Sequence, residues 1–182
     1  MMARERLTVT HRELLTAWRT TTNLVGPGPI DVHWDDVGRG TAGLAFEGHW
    51  VDLGSGAGFP GLVLAALHPQ SRWTLVEPRR KRAAFLREVV RASGTRGIEV
   101  VEDRAERLGT ALRYDGVTSR AFAAPVEVAG LASHLLRPGG AWVVFTHADQ
   151  EPMHLPGWTH EASVRYAWPE RPRRVDRYRW TP

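Results

Sequence analysis

Four glycines between residues 54 and 61, directly behind an apolar run, constrain this chain of 182 residues more than any other feature. The run at residues 50–53 predicts a buried strand, and Pro60 suits the start of the helix that follows. Between them the chain can turn tightly and admit a ligand at close range, because three glycines alternate there. They are Gly54, Gly56 and Gly58. Gly61 lets the helix pack close to the strand, so the segment predicts the first strand–turn–helix unit of a doubly wound sheet.

Short apolar runs alternate with helical patterns from residue 50 to about residue 150, which indicates a mostly parallel sheet with helices on both faces. The predicted strands are residues 50–53, 73–76, 98–101, 116–118 and 141–145. The predicted helices are residues 60–67, 80–92 and 126–136, and the RPGG segment at 137–140 is the turn out of the last one. Two weaker strands, residues 162–167 and 175–180, predict a hairpin at the edge of the sheet.

The first 48 residues carry a less regular pattern. Apolar and aromatic positions recur at helical spacing, with Thr10 as the candidate N-cap. These positions are Leu7, His11, Leu14, Leu15 and Trp18. The run GPGPI at residues 26–30 ends that helix, and the glycine-rich stretch from there to Gly48 has no assigned element. We expect one domain over residues 1–182, with an N-terminal helical segment (1–48), a ligand-binding core (49–150) and a C-terminal edge segment (151–182).

The composition excludes several classes of function. The chain has no cysteine, which rules out disulfides, cysteine-ligated zinc and a cysteine nucleophile. Its histidines show no metal-ligand spacing, and it has neither an apolar bilayer span nor a secretory signal, so we expect a cytoplasmic protein without metal or membrane partners. The formal charge of +4 comes almost wholly from arginine, with Lys81 the only lysine. Guanidinium groups suit phosphates and bases, so a nucleic-acid partner is compatible with this charge.

Two carboxylates narrow the choice of ligand. Glu77 ends the second predicted strand, 23 residues after Gly54, where a carboxylate accepts hydrogen bonds from ribose hydroxyls. Asp52 directly precedes the glycines, where it would repel a pyrophosphate but suit the cationic amino end of S-adenosylmethionine. The alternative for Asp52 is a structural aspartate that caps the turn. The Gly-x-Gly-x-Gly spacing also differs from that of nicotinamide dehydrogenases, so we predict S-adenosylmethionine as the cofactor.

Several longer motifs carry a specific family resemblance. The segments VDLGSGAGFPGL, LVEPRRKRAAFLREVV, EDRAERL and YDGVTSRAF resemble successive motifs of the small-subunit ribosomal RNA guanine-N7 methyltransferases, also called the glucose-inhibited division protein B family. The segments LLTAWRTTTNLV and HWDD resemble the N-terminal motifs of that family. The resemblance runs from about Leu14 to Gly140. It implies a Rossmann-like class I methyltransferase fold that uses S-adenosylmethionine and acts on ribosomal RNA or the small ribosomal subunit.

The resemblance also implies roles for individual residues. It puts the methionine end of the cofactor on the glycine turn and the ribose on Glu77. The residues of that turn are Gly54, Ser55, Gly56, Gly58 and Phe59. It puts the adenine beside the backbone of Ala105 and Glu106. The incoming base and the sulfonium lie beside Ser119 and Arg120. Two residues of the HWDD motif shape the pocket; they are His33 and Asp36.

Arg120 is the first candidate for an active-site residue, because an arginine at the end of an otherwise apolar strand requires a polar partner. That partner is either a phosphate or a base edge of the substrate, or a carboxylate in a structural ion pair with Asp115 or Asp103. The Ser-Arg-Ala resemblance favours the functional interpretation.

Basic residues supply the candidate RNA contacts. Four cations crowd the start of one predicted helix, where each opposes the helix dipole by about 0.3–1 kcal/mol; they are Arg79, Arg80, Lys81 and Arg82. Either they contact RNA phosphates or they form a solvated face. Thr146 and His147 stand where the family has a Lys-Gly pair, so a basic residue near the RNA site is either missing or partly replaced by His147. The arginines and aromatic residues of the tail, residues 168–180, either bind bases or pack on the sheet.

The residues and the resemblance together predict methyl transfer to N7 of a guanine in small-subunit ribosomal RNA. N7 carries an in-plane lone pair and needs no deprotonation, so the reaction requires positioning more than a strong base. Two alternatives stay open. One is a methyltransferase for a small molecule or another RNA, which weak and salt-insensitive RNA binding would favour. The other is a non-catalytic RNA-binding protein that retains the fold, which tight cofactor binding would oppose.

Overall fold

The computed structural model describes residues 3–26, 28–109, 113–168 and 171–182. One seven-stranded sheet forms its centre, with the spatial order β3-β2-β1-β4-β5-β7-β6. The strands are β1 (His49–Leu53), β2 (Arg72–Val76), β3 (Ile98–Val101), β4 (Tyr114–Arg120), β5 (Leu136–His147), β6 (Trp158–Tyr166) and β7 (Arg173–Trp180). Strands β1 to β5 pair in parallel, whereas β7 is antiparallel to both of its neighbours. The predicted parallel sheet with a hairpin at its edge is confirmed.

Helices cover both faces of this sheet. They are α1 (Ala3–Trp18), α2 (Asp31–Gly40), α3 (Gly61–Leu67), α4 (Arg80–Ser93) and α5 (Pro125–Leu135), with a 3₁₀ turn at Ala105–Arg107. The three helices predicted from the sequence are confirmed to within one residue at each end. On one face α1 packs on α3 and α4, and α2 packs on α3 and the β6–β7 hairpin; on the other face α5 packs on β4 and β5. Among the residues described, no helix is long and apolar enough to cross a bilayer.

The segment predicted as a turn after α5 belongs to β5 instead. Leu136 pairs with Tyr114 and Ala141 pairs with Gly116, so the four intervening residues loop out opposite Asp115 alone. The guanidinium of Arg137 in this bulge lies 2.6 Å from the Asp115 carboxylate. The ion pair holds the bulge within the strand, and the Pro-Gly-Gly run marks a break in register.

The N-terminal segment corrects two further expectations. Helix α1 begins at Ala3, so Thr10 lies inside the helix and is not its cap. Residues 31–40, left unassigned, form α2; Pro27 of the preceding GPGPI run lies outside the described residues. Gly40 at the end of α2 permits close packing on the hairpin, because a Cβ there would lie 2.7 Å from Val175 Cγ2 and 2.9 Å from the Tyr166 ring.

One hydrophobic cluster lies on each side of the sheet. Alternate side chains of β1 face opposite ways, so Trp50 belongs to the cluster under α1–α4 and Val51 to the cluster under α5. Trp50 stacks on Trp73 of β2, with ring centroids 5.9 Å apart. The alternation fixes which side chains of β1 reach the helix that follows the glycine turn.

Gly61 sits where α3 meets the sheet. A Cβ at this position would lie 2.5 Å from Leu75 Cδ2 and 2.6 Å from Asp52 Oδ2. Real Cβ atoms do not tolerate such distances, so a side chain here would push α3 away from the sheet. The predicted close contact of helix and strand is confirmed.

We expect Gly61→Ala to lower the free energy of unfolding by about 1–3 kcal/mol, because the added methyl group overpacks the α3–sheet contact. Gly130→Ala in α5 is the matched control, since a Cβ there meets nothing within 4 Å. The control should raise stability by up to about 1 kcal/mol through helix propensity. Urea unfolding measures both, and equal effects of the two substitutions would contradict the packing argument.

Candidate cofactor and substrate site

The glycine turn lies at the carboxyl end of β1, beside the ends of β2 and β4. Its backbone is left-handed at Gly54, Gly56 and Gly58, with φ angles of 69°, 57° and 93°. The Ser55 N–H donates to Val76 O at 2.9 Å, which ties the turn to β2. L-residues with side chains rarely adopt these angles, so the turn requires glycine at all three positions.

The Asp52 carboxylate, at the end of β1, stabilises the segment around this turn through hydrogen bonds. Its side chain is fully buried, and its Oδ2 accepts a hydrogen bond from the Gly61 N–H at 3.2 Å while its Oδ1 accepts one from Thr118 Oγ1 at 2.9 Å. Burial raises the pKa of Asp52 to about 6, although the hydrogen bonds from Ser55, Thr118 and Gly61 oppose the shift. The structure therefore favours the structural alternative for Asp52 over direct contact with the amino end of a cofactor.

Glu77 faces the turn from the end of β2. Its Oε2 accepts a hydrogen bond from the Gly56 N–H at 2.9 Å, and its Oε1 accepts one from the Arg79 N–H at 2.9 Å. The side chain is only 3% exposed. A carboxylate oxygen accepts more than one hydrogen bond, so Glu77 retains acceptor capacity for ribose hydroxyls. The sequence identified this residue, but not its role as a brace for the glycine turn.

The 3₁₀ turn Ala105–Arg107 follows β3 on the same edge of the sheet. The Glu77 N–H donates to Val101 O at 3.0 Å, which joins the ends of β2 and β3. Ala105 is buried and Glu106 is exposed. The structure thus brings the glycine turn, Glu77 and the segment of Ala105 and Glu106 to one edge, as the resemblance implies.

Arg120 ends β4 within a cluster of residues from distant parts of the chain. Its guanidinium donates to Asp36 Oδ2 at 2.9 Å and lies 5.3 Å from the centroid of the Phe59 ring. Tyr166 of β6 donates its hydroxyl to Asp36 Oδ1 at 2.7 Å. Asp115 and Asp103, the carboxylates considered from the sequence, pair with Arg137 and Arg107 instead.

The Asp36 carboxylate is buried and shared between Arg120 and Tyr166. Burial, followed by the hydrogen bond to Asp36 and the charge of Asp36, raises the pKa of Tyr166 well above its usual value, so this hydroxyl remains a donor. Asp36, expected from the resemblance to shape the pocket, orients Arg120 in this structure. Tyr166 was missed because its partner is 130 residues away in sequence.

His33 and Ser119 flank Arg120 on opposite faces of the sheet. The His33 ring lies 5.2 Å from the Phe59 ring, and burial and the charge of Arg120 lower the pKa of His33. Ser119 is buried, and its Oγ accepts a hydrogen bond from Trp142 Nε1 at 3.2 Å in the cluster under α5. His33 thus joins the Arg120 cluster, whereas the Ser119 side chain points away from it and serves the core.

The residue after Arg120 has an unusual backbone. Ala121 has a φ of 51°, which is rare for a residue with a side chain. Phe122 follows, and its ring lies against the glycine turn, since a Cβ on Gly54 would be 2.5 Å from Phe122 Cδ2. The left-handed turn at Ala121 therefore places an aromatic ring over Gly54.

The predicted basic residues divide into two groups. Arg79, Arg80 and Lys81 are exposed around the start of α4. Arg82 instead donates from Nη2 to the Asn23 carbonyl at 2.8 Å, and its Nη1 lies 3.8 Å from the position of a Cβ on Gly56. His147 lies at the exposed end of β5 and borders a cavity there. The structure brings only Arg82 of this set to the glycine turn.

His11, on the apolar face of α1, also contacts the glycine turn. Its Nε2 lies 2.7 Å from the Ala57 carbonyl oxygen. A carbonyl only accepts, so Nε2 carries the proton and donates. Burial lowers the pKa of His11 to about 4, so the ring is neutral near pH 7. Through this hydrogen bond, α1 is attached to Ala57, in the middle of the glycine turn.

The described residues contain no group of three or more histidine, aspartate or glutamate side chains placed to hold a metal ion. The site instead combines a glycine turn, a buried carboxylate acceptor at Glu77 and a guanidinium held at the end of β4.

Comparisons with known proteins identify close sequence relatives. Residues 6–155 match the model of a family described as rRNA small subunit methyltransferase G. A protein named ribosomal RNA small subunit methyltransferase G from Nocardioides sp. strain JS614 is 41% identical over 147 residues, which cover 78% of this chain and 59% of the relative. Its namesake from Stenotrophomonas maltophilia strain K279a is 42% identical over 115 residues, or 62% of this chain and 54% of the relative. The chain thus spans little more than half the length of the curated relatives that it matches.

Solved structures share the fold at low identity. The putative methyltransferase yhhF from Escherichia coli aligns with a TM-score of 0.63 and 16% identity, covering 87% of this chain and 92% of that one. A mutant of MtNAS in complex with S-adenosylmethionine aligns with a TM-score of 0.68 and 16% identity, covering 98% and 73%. These likenesses show that the chain has the class I methyltransferase fold.

The buried His11 predicts a pH-dependent contribution to stability. Its folded pKa of about 4 lies below the usual 6.5, so its contribution is complete above pH 6.5 and is lost as the pH falls toward 4. His11→Asn retains a donor for Ala57 but does not titrate. The stability difference between wild type and His11→Asn should therefore shrink by up to about 3 kcal/mol between pH 7 and pH 4.

Chemical unfolding at several pH values measures this difference. His154→Asn, at an exposed histidine, is the control and should leave the pH dependence unchanged. A pH-independent difference for His11→Asn would show that the ring does not stay neutral in the folded chain.

Proposed function

The chain belongs to the family of rRNA small subunit methyltransferase G, and from this premise we propose that it transfers a methyl group from S-adenosylmethionine to N7 of a guanine in small-subunit ribosomal RNA. The observation that carries the proposal is the position of Arg120. The ion pair with Asp36 and the Phe59 ring hold this guanidinium at the end of β4, next to the glycine turn on β1.

The residues at the turn fit S-adenosylmethionine. A Cβ built on Gly56 would lie 3.7 Å from the Gly54 carbonyl oxygen and 3.8 Å from Arg82 Nη1, both ordinary van der Waals distances. A ligand atom can therefore lie against the Gly56 backbone. Glu77 supplies the acceptor for the ribose hydroxyls. The backbone beside Ala105 and Glu106 would meet the adenine, and the Gly54–Gly58 turn would meet the methionine end. When bound, the cofactor supplies an electrophilic methyl group on a positively charged sulfur.

Methyl transfer to N7 requires little acid–base catalysis by the protein, because N7 needs no deprotonation before it attacks. The S–CH₃ bond breaks as the N7–CH₃ bond forms, and the positive charge moves from sulfur to the purine ring, so the total charge does not change. Catalysis then depends on holding the two reacting atoms at about 3–3.5 Å in line. The Asp36–Arg120 pair is neutral as a whole, so it adds a directional donor without opposing the cationic product.

The exposed cations of α4 support RNA as the substrate. Arg79, Arg80 and Lys81 extend from the strand end that carries Glu77, and no acidic residue lies in the first turn of that helix. Cations at a helix N-terminus cost stability, and phosphate contacts offset such a cost. A small-molecule substrate would leave this arrangement without a purpose.

We expect Glu77→Gln to weaken the binding of S-adenosylhomocysteine by about 10- to 100-fold, because the amide replaces one charged acceptor oxygen with a donor. Isothermal titration calorimetry measures this. Glu99→Gln, at an exposed carboxylate on β3, is the control and should bind as wild type. Undiminished binding by Glu77→Gln would limit Glu77 to bracing the turn.

We expect Arg120→Lys to reduce kcat for methylation of small ribosomal subunits by about 100-fold, with S-adenosylhomocysteine affinity nearly unchanged. The ammonium lacks the planar fork that spans Asp36 and a second acceptor. Transfer of labelled methyl groups to isolated subunits gives the rates. A wild-type protein that binds S-adenosylhomocysteine but methylates no ribosomal RNA would favour the small-molecule alternative, and one that binds no cofactor would favour the RNA-binding alternative.

A further inference from the structure

A cavity of about 760 Å³ opens beside the Arg120 cluster, at the ends of β5 and β6. Its polar lining consists of His147, Asp149, Gln150, Arg165, Tyr166 and Arg171. The volume is within the range of small-molecule sites, which measure about 300–1,000 Å³. None of the residues that line the cavity belongs to the glycine turn, and Glu77 is not among them, so the cavity is separate from the candidate cofactor site.

Tyr166 connects this cavity to Arg120. Its ring forms part of the cavity wall, and its hydroxyl donates to the Asp36 carboxylate that holds Arg120. Along the sheet, Arg120 pairs with Phe145, two residues before His147 at the cavity rim. The cavity therefore lies on the β4–β5 side of the site, whereas Glu77 lies on the β2 side.

The groups that line the cavity match the parts of a nucleotide. Arg165 and Arg171 are cations suited to a phosphate, and the Tyr166 ring offers a face or edge for a base. The Asp149 carboxylate is exposed beside them and accepts hydrogen bonds only. Guanine presents the N1–H and N2–H donors together on one edge, whereas adenine presents an acceptor at N1. The carboxylate therefore discriminates guanine from adenine.

We infer that this cavity binds a guanine nucleotide of the RNA strand by its N1/N2 edge, with Asp149 as the base-reading residue and Arg171 as the phosphate contact. This inference rests on the proposed function, which it deepens. A guanine gripped by that edge leaves N7 on the opposite side of the purine, free to face a methyl donor. Arg165, Tyr166 and Arg171 lie beyond residues 6–155, so the family match does not extend to these residues.

Nucleotide titrations of the full chain test the inference without measuring methyl transfer. The ¹⁵N-labelled protein is saturated with S-adenosylhomocysteine, which blocks the glycine turn, and is titrated with GMP or AMP. We expect GMP to shift the amide signals of Ala148 and Ala167, which line the cavity, and to bind at least about 10-fold more tightly than AMP.

Two variants separate the proposed roles. Asp149→Asn should abolish the preference for GMP over AMP, and Arg171→Ala should weaken both nucleotides about 10-fold while preserving their ratio. Arg96→Ala is the control, because Arg96 is exposed before β3, at the opposite end of the strands. It should bind both nucleotides as wild type does.

The possible outcomes are distinct. Absence of shifts at Ala148 and Ala167, or a GMP preference that survives Asp149→Asn, would overturn the inference. A protein that binds no S-adenosylhomocysteine but still binds GMP in this cavity would overturn the proposed function and leave the site. A protein that methylates ribosomal RNA but shows equal GMP and AMP binding would retain the function and lose the site.

Discussion

The contact between Asp52, α3 and β4 is the constraint on which the rest of the site depends. One buried carboxylate accepts hydrogen bonds from the first residue of α3 and from Thr118, and Gly61 leaves no space for a side chain between helix and sheet. These contacts fix the distance between the glycine turn and the end of β4. Glu77 then holds the turn from β2, and Arg120 stands two residues after Thr118. The glycine turn and the end of β4 that carries Arg120 are therefore held together by one buried carboxylate.

A second level of organisation joins the ends of the chain to this centre. Helix α1 reaches the glycine turn through His11 and Ala57, and α2 supplies Asp36 to Arg120. The hairpin supplies Tyr166 to the same carboxylate. The Phe59 ring lies among His11, His33, Trp34 and Arg120, so it contacts α1, α2 and the end of β4. The N-terminal helices and the C-terminal hairpin thus complete a site whose core is the central sheet.

Local signals in the sequence predict the sheet and half of the site, and they fail where the determinants are distant. Strand alternation, glycine spacing and a carboxylate at a strand end all act within a few residues, and they identified the glycine turn and Glu77. Helix α2 was missed because Gly38 and Gly40 oppose helix propensity, and its N-cap Ile30 makes no side-chain cap; tertiary packing on the hairpin overrides that weakness. Asp36, the partner of Arg120, lies 84 residues away in sequence, and Tyr166, which donates to the same carboxylate, lies 130 residues from Asp36. Only the folded chain brings the three residues together.

The edge strand β6 has an irregularity that affects whether one molecule can pair with another. Its pairing with β7 slips between His160 and Ala162, so Glu161 is an extra residue in the ladder. The Glu161 carboxylate binds Arg177 and Arg179 of β7, and this keeps the bulge in place. An interrupted, charged edge is a poor template for the strand of another chain. The same hairpin that carries Tyr166 to the site thereby protects the open side of the sheet from fibrous self-association.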